Sequence, residues 1–228
     1  MAGRYLGQLV HAQDPLPNIL DIRDSYHSTL AFVPTRTELP VLLNERGLLG
    51  CGVEIGVQVA DYSATILRYW RGMHLISVDP WLEDRPENYV DIANVAQWHQ
   101  DANYESAQRR LAPFGTRSTI WRTTSVEAAA RIPAASLDFV YIDARHDYAS
   151  VMEDVEAWYP KVRPGGLMTG HDYLDGTFDA GEFEVRRAVD EFFSARDLRV
   201  FSTLFDGPCV SFIVEVPPPG GPAEVPDV

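Results

Sequence analysis

Hydrophobic positions along the chain fall into short apolar runs separated by stretches of helical spacing. Residues 51–55, 74–79, 118–122, 138–143 and 167–170 read as strands, because a near-continuous apolar run suits a parallel strand covered on both faces. Between them the period shifts toward 3.6 over residues 64–70, 103–112, a short helix from Ser125, residues 148–159 and residues 182–195. In the fourth of these Val151, Val155 and Trp158 share a face, with Asp147 as the cap; in the last Val185, Ala188, Val189, Phe192 and Phe193 do. A helix over 37–47 precedes the first strand, with Thr37 as its N-cap and Gly47 closing it. Two further runs, 200–204 and 209–216, are separated by Phe205-Asp-Gly-Pro208 and read as a C-terminal hairpin.

Strands alternating with helices predict an α/β fold: a Rossmann-like, doubly wound, seven-stranded, mostly parallel sheet closed by an antiparallel hairpin. The chain divides into an N-terminal arm (1–36, carrying Tyr26, His27 and Phe32), one domain (37–216) and a Pro/Gly-rich tail (217–228) expected to be disordered. Residues 81–113 are longer than a simple connection and rich in aromatic side chains, which predicts an insertion before the helix at 103. The arm is expected to cover an active site or a second copy of the chain, so a homodimer is an expectation.

The strand ends carry the chemistry. The run at 138–143 ends in Asp143, with His146 three residues on; the run at 167–170 ends in His171-Asp172. Open α/β sheets bind ligands outside the carboxyl ends of their strands, so these four residues are expected to converge. The first strand leads into Glu54-Ile-Gly56-Val-Gln-Val-Ala60-Asp61, with a single glycine and an acid in the turn. A pyrophosphate wants Gly-x-Gly-x-x-Gly on a helix N-terminus, so this turn suits a cofactor with a ribose and no pyrophosphate. Asp79, at the end of the second strand, is placed to take both ribose hydroxyls, and Glu54 to hold a cationic group or orient the loop.

Charge narrows the partners. Over 228 residues the net charge is −14, which argues against nucleic acid and suits cationic ligands and metal ions. Only Lys161 of the 19 basic residues is lysine, so a lysine general base is nearly excluded. Cys51 and Cys209 have no disulfide or metal spacing and read as free thiols. With no signal-peptide pattern and no apolar run of membrane length, a cytoplasmic protein is expected.

Val53-Glu-Ile-Gly-Val, Ile76-Ser-Val-Asp79-Pro-Trp81, Ile142-Asp143-x-x-His146-x-Tyr148 and Pro164-Gly-Gly-Leu-Met-Thr-Gly-His-Asp-Tyr173 together resemble the class I S-adenosylmethionine-dependent methyltransferases. The resemblance is to small bacterial members similar to metal-dependent sugar and catechol O-methyltransferases. It implies S-adenosyl-L-methionine as cofactor, with Glu54, Gly56 and Ser63 at the methionine end, Asp79 at the ribose, Ser125 and Val126 at the adenine edge, and Asp143 adjoining. Ala60 stands where such families have another glycine. Metal ligands map onto Asp143 and Asp172, with His171 completing the set and His146 as general base. Mg²⁺ is the first expectation; an imidazole ligand also admits Mn²⁺ or Fe²⁺.

The expected function is transfer of a methyl group to a hydroxyl of a small molecule, a sugar or a natural-product phenol. Trp81, Trp98, Tyr104, Tyr173 and Phe178 are candidate walls of the acceptor pocket, and Arg145 is a solvated charge or a clamp for a substrate carboxylate. Two alternatives share the fold: a non-haem iron hydroxylase, since the sequence also resembles the cephalosporin hydroxylases, and a non-catalytic ligand-binding or assembly protein.

Overall fold

The computed structural model describes residue 30 and residues 32–85, 87, 89–178 and 181–218. Tyr26 and His27 of the arm and residues 219–228 of the tail lie outside the described residues. The first five strands are β1 (Cys51–Ile55), β2 (His74–Asp79), β3 (Ser118–Arg122), β4 (Leu137–Ile142) and β5 (Val162–Gly170). A short hairpin follows, β6 (Asp175–Phe178) and β7 (Gly181–Glu184), then β8 (Phe201–Ser202) and β9 (Phe212–Glu215). Seven of these form one sheet in the order β3-β2-β1-β4-β5-β9-β8, while β6 and β7 pair separately. Neighbours from β3 to β5 run parallel, and β9 is antiparallel to both β5 and β8. The expected seven-stranded Rossmann-like sheet with its terminal hairpin is thus present.

Helices cover both faces: α1 (Leu39–Glu45), α2 (Asp61–Tyr69), α3 (Gln97–Leu111), α4 (Ser125–Arg131), α5 (Tyr148–Trp158) and α6 (Val185–Ser194). The two-residue alternation of a strand sorts β4 between them. Val140 and Ile142 join Val151, Val155, Trp158, Val189 and Phe193 in one core. Phe139 and Tyr141 join Leu43, Ile66, Leu67 and Trp70 in the other. Burying each such aliphatic or aromatic side chain contributes roughly 1.5–3 kcal/mol before the entropy of ordering it is counted. A charge at Val53 or Val140, both fully buried, would break this packing.

The sheet changes direction between β1 and β4. Here Ile55 pairs with Ile142, and Asp143 donates its backbone N–H to Ile55 at 2.8 Å. Crossovers leave β1 toward one edge and β4 toward the other, which opens a crevice at their carboxyl ends. Gly56, at φ +80°, closes against that crevice: a Cβ there would fall 1.8 Å from the Asp143 carbonyl oxygen. The turn after β1 and the end of β4 are therefore packed backbone to backbone.

Three local expectations differ from the structure. The cap before α1 is Thr35 rather than Thr37: its hydroxyl accepts from the Thr37 N–H, and a reciprocal capping box with Glu38 fixes a 3₁₀ turn at Arg36–Glu38. Helix α3 starts six residues earlier than position 103, because the inward positions of its first turns are the polar Gln100 and Asn103, while Trp98 is 73% exposed, so no apolar period marks them. Glu182 to Glu184 belong to β7 rather than to a helix; Phe183 turns inward between two outward acids, which is strand alternation.

Candidate active site

The carboxyl ends of β4 and β5 bring Asp143, His146, His171 and Asp172 together. Each position follows from the backbone. His171 donates its N–H to Ile142 at 2.8 Å, which keeps β5 paired with β4 up to its last residue. Asp172 then takes φ +49°, a left-handed turn that ends the strand. Asp147 caps α5 by accepting from the Ser150 N–H at 3.0 Å, so His146 lies immediately before the helix.

One ligand atom each from Asp143, His146 and Asp172 falls within 4.8 Å of the others. His146 Nε2 is 3.0 Å from Asp172 Oδ2, while His171 Nδ1 is 3.3 Å from Asp172 Oδ1 and 3.8 Å from Asp143 Oδ1. The other His146 nitrogen, Nδ1, lies 2.9 Å from Asp91 Oδ2, a carboxylate delivered by the insertion after β2. Phe183 of β7 stacks on the His146 ring with centroids 4.2 Å apart and planes 11° off parallel. The imidazole is thus clamped at both nitrogens and braced on one face.

Electrostatics follow the geometry. Burial works against the His146 cation, yet hydrogen bonds to Asp172 and Asp91 outweigh it and lift the imidazole up to about 9. Burial pushes the Asp172 carboxyl upward, but His146 and His171 override it and hold it well below the usual carboxylate range. Asp143 is raised, by burial first. Cys209 lies against the same cluster; burial and its hydrogen bond to Asp172 push the thiol up to about 11.

A second group surrounds the turn after β1. Asp79 Oδ2 accepts the N–H groups of Val57 and Gln58, each at 2.9 Å, and Oδ1 accepts that of Trp81 at 2.7 Å. An ionised carboxylate accepts about four hydrogen bonds, so Asp79 ties the loop down and keeps capacity for one more donor. Glu54 is 1% exposed; the Ser63 hydroxyl donates to it and also meets Ser77 Oγ at 2.9 Å. Burial holds the Glu54 carboxyl up to about 8, so at neutral pH it is mostly protonated. Gln58 and Ala60 adopt φ +49° and +63°, left-handed conformations that glycine takes at no steric cost.

The chain matches the methyltransferase-domain family over residues 51–173, more than half its length. The chain belongs to that family. Its fold is that of the class I S-adenosylmethionine-dependent methyltransferases. The domain is 38% identical over 149 residues to the uncharacterized protein y4gI of Sinorhizobium fredii, a match that covers 65% of this chain and 15% of that protein. Among solved structures it resembles the O-methyltransferase from Bacillus cereus in complex with SAH (TM-score 0.55, 15% identity, covering 86% of this chain and 88% of that one). It also resembles TomG from Streptomyces achromogenes, an O-methyltransferase involved in tomaymycin synthesis solved with SAM (TM-score 0.55, 19% identity, covering 79% and 78%). At these identities the likeness is one of fold. Among the described residues no helix is long and apolar enough to cross a membrane.

Within the methyltransferase domain, Glu54, Gly56, Ser63 and Asp79 gather at the turn after β1, and Asp143, His146, His171 and Asp172 at the carboxyl ends of β4 and β5. Ser125 and Val126 lie on the first turn of α4, just after Thr123, whose N–H donates to the Asp79 carbonyl at 3.2 Å. The Ser125 hydroxyl turns inward, donating to buried Asp154 and accepting from Trp158 Nε1 at 2.8 Å; Val126 is 39% exposed. Trp81 is fully buried, donates Nε1–H to the Gln58 carbonyl at 2.8 Å and packs on Tyr104. Tyr173 donates to Asp190, whereas Phe178 stays half-exposed, edge-on to Phe183. Arg145 pairs with Asp84 and lies 4.3 Å from the centre of the Tyr89 ring, so the insertion answers it with a carboxylate and an aromatic face.

Sequence reasoning missed Asp91, Phe183, Cys209 and Arg36. Cys209 could have been marked as chemistry beside the last strand. The others carry no local signal, because Asp91 lies in an aperiodic insertion and Arg36 reaches the site only through the cap at Thr35.

Proposed function

We propose that the domain transfers the methyl group of S-adenosylmethionine to a hydroxyl of a small molecule, with a divalent cation held by Asp143 and Asp172. The observation that carries this reading is the convergence of Asp143, His146 and Asp172 at the switch between β1 and β4. The donor set fits a hard divalent ion, since carboxylate oxygens of Asp143 and Asp172 lie within 4.8 Å of each other and the His146 imidazole stands equally near as the base. The paired carboxylates favour Mg²⁺ or Mn²⁺, while His146 and His171, at 3.0 and 3.3 Å from Asp172, are the two imidazoles that the iron-hydroxylase alternative would use.

The cofactor supplies an electrophilic methyl group on a sulfonium, so little covalent chemistry is left for the protein. What remains is to align the acceptor, exclude water and remove a proton. Asp79, with one hydrogen-bonding position to spare, would take the ribose, and the buried Glu54–Ser63–Ser77 chain would keep the loop in place. A divalent ion would lower the pKa of the acceptor hydroxyl and fix its orientation.

His146 would take the proton. In the cation-free site Asp172 and Asp91 together keep the ring charged. Asp91 would keep the proton on Nδ1, and with Asp172 holding a cation Nε2 would be free to accept the proton of the acceptor hydroxyl. A sugar or a natural-product phenol suits this arrangement.

The test is turnover of S-adenosylmethionine with a panel of sugars and catechols, read as S-adenosylhomocysteine formed. Chelation should remove activity and Mg²⁺ or Mn²⁺ should restore it. Full turnover in excess chelator would retire the metal part of the reading.

A further inference from the structure

We propose that Arg36 holds the carboxylate of the amino-acid end of S-adenosylmethionine; the inference rests on the cofactor reading above and adds a residue that lies before the family match. Arg36 NH1 is 3.4 Å from Asp143 Oδ2, the guanidinium lies 5.1 Å from the centre of the Tyr62 ring, and the Tyr141 hydroxyl is a further partner. Tyr62 belongs to the first turn of α2 and Asp143 follows β4, so this cation occupies the corner where the Gly56 turn meets the β4 end.

The backbone around Arg36 is anchored on several sides. Thr35 and Glu38 close a capping box around it. Its N–H donates to Asp206 at 2.8 Å, and its carbonyl accepts from the Tyr62 hydroxyl at 2.9 Å. Just before it, Leu204 and Phe205 donate to the carbonyls of Val33 and Pro34 at 2.8–3.1 Å. Leu30 and Val33 are buried in the same core as α1 and α2. A solvated surface arginine needs none of this; a fixed guanidinium does.

The charges nearby say what it is for. An amino-acid end brings an ammonium and a carboxylate. Carboxyl groups are abundant at this corner: Glu54, Asp79, Asp143 and Asp172. Of the nitrogen-bearing side chains in the site, His146 is spent between Asp91 and Asp172, and His171 faces Asp172 and Asp143. Among the described residues Arg36 meets Asp143 in one long ion pair and the Tyr141 hydroxyl, and the remaining N–H donors of its fork suit a planar partner. A carboxylate fits that fork in a bidentate manner, which an ammonium-bearing side chain cannot match.

The test compares two ligands by calorimetry: S-adenosylhomocysteine, which carries the carboxylate, and 5′-methylthioadenosine, which lacks the whole amino-acid end. Arg36→Ala is expected to weaken S-adenosylhomocysteine about 10- to 100-fold, the worth of a charged hydrogen-bonded contact, and to leave methylthioadenosine unchanged. Arg36→Lys should recover part of the loss as a point charge, and Arg36→Gln, which keeps the stem, gives the same comparison if the alanine variant unfolds. Equal weakening of both ligands in folded Arg36→Gln, or no weakening of S-adenosylhomocysteine, overturns the assignment while leaving the cofactor reading standing. Failure of the wild-type domain to bind S-adenosylhomocysteine overturns both.

Discussion

The Asp91 carboxylate lies 2.9 Å from His146 Nδ1, and it comes from an insertion 55 residues away in the chain. An imidazole held at one nitrogen by a carboxylate has its tautomer and direction set for whatever the other nitrogen meets. Here the other nitrogen meets Asp172. The insertion after β2 therefore reaches across the sheet ends and orients the residue on which proton transfer would depend.

Asp91→Asn keeps an acceptor for Nδ1–H and removes its charge. The His146 imidazole, held up to about 9 with both carboxylates present, should titrate at a lower pH in the variant. An NMR titration of the His146 ring in metal-free protein reads this directly. Turnover should fall about 10- to 100-fold, the usual loss on removing such an outer partner. An unchanged titration midpoint would mean that Asp91 does not act on the ring.

Gly56 has no tolerable substitution, since φ +80° and a Cβ at 1.8 Å from the Asp143 carbonyl act together. Gly56→Ala should cost at least about 3 kcal/mol or abolish folding, since the obstacle is backbone. Gln58 is the converse. It is exposed at φ +49°, so Gln58→Gly should stabilise by roughly 0.5–1 kcal/mol and Gln58→Val should destabilise. Chemical denaturation of the three variants checks the set, and an equal response at both positions would refute the loop geometry.

Asp154 gives a pH signature away from the site. Burial holds its carboxyl up to about 7, so the native state keeps a proton that the unfolded chain loses near 3.9. That contribution is full below about pH 4 and is lost as pH rises through about 7. Asp154→Asn keeps an oxygen for the Ser125 hydroxyl and cannot ionise. Its melting temperature should match wild type near pH 4 and exceed it by roughly 5 °C or more at pH 8. A constant offset across the range would show that Asp154 ionises normally.

Asp79→Ala should lose more than a ribose contact. Three backbone N–H groups lose a charged acceptor, so the variant should melt about 5–10 °C lower and bind S-adenosylhomocysteine far more weakly. Wild-type melting temperature and affinity together would remove Asp79 from both roles.

The sheet and one wall of the site were legible because each feature is local. An apolar run that breaks into Asp143 or His171-Asp172 announces a strand end, and Asp147 announces the helix behind it. What escaped was set by tertiary contact. Asp91 lies in a stretch with no period, and only the fold shows that it returns to His146. Phe183 reads as the first turn of an amphipathic helix until its antiparallel pairing with Gly176 of β6 shows a strand there. Arg36 precedes α1 by a single turn, and the Thr35 capping box decides where it points. Ser125 was legible as a helix start, but its hydroxyl turns to Asp154, a partner fixed by the packing of α4 on α5.

The central claim is that Asp143 and Asp172 hold a divalent cation beside His146. Titration of the domain with Mn²⁺ by calorimetry, with S-adenosylhomocysteine present, tests it most directly. The account predicts one site in the wild type, weakened at least about 10-fold in Asp143→Asn and in Asp172→Asn. Binding of Mn²⁺ that is unchanged in both variants, or no binding by the wild type, would contradict it.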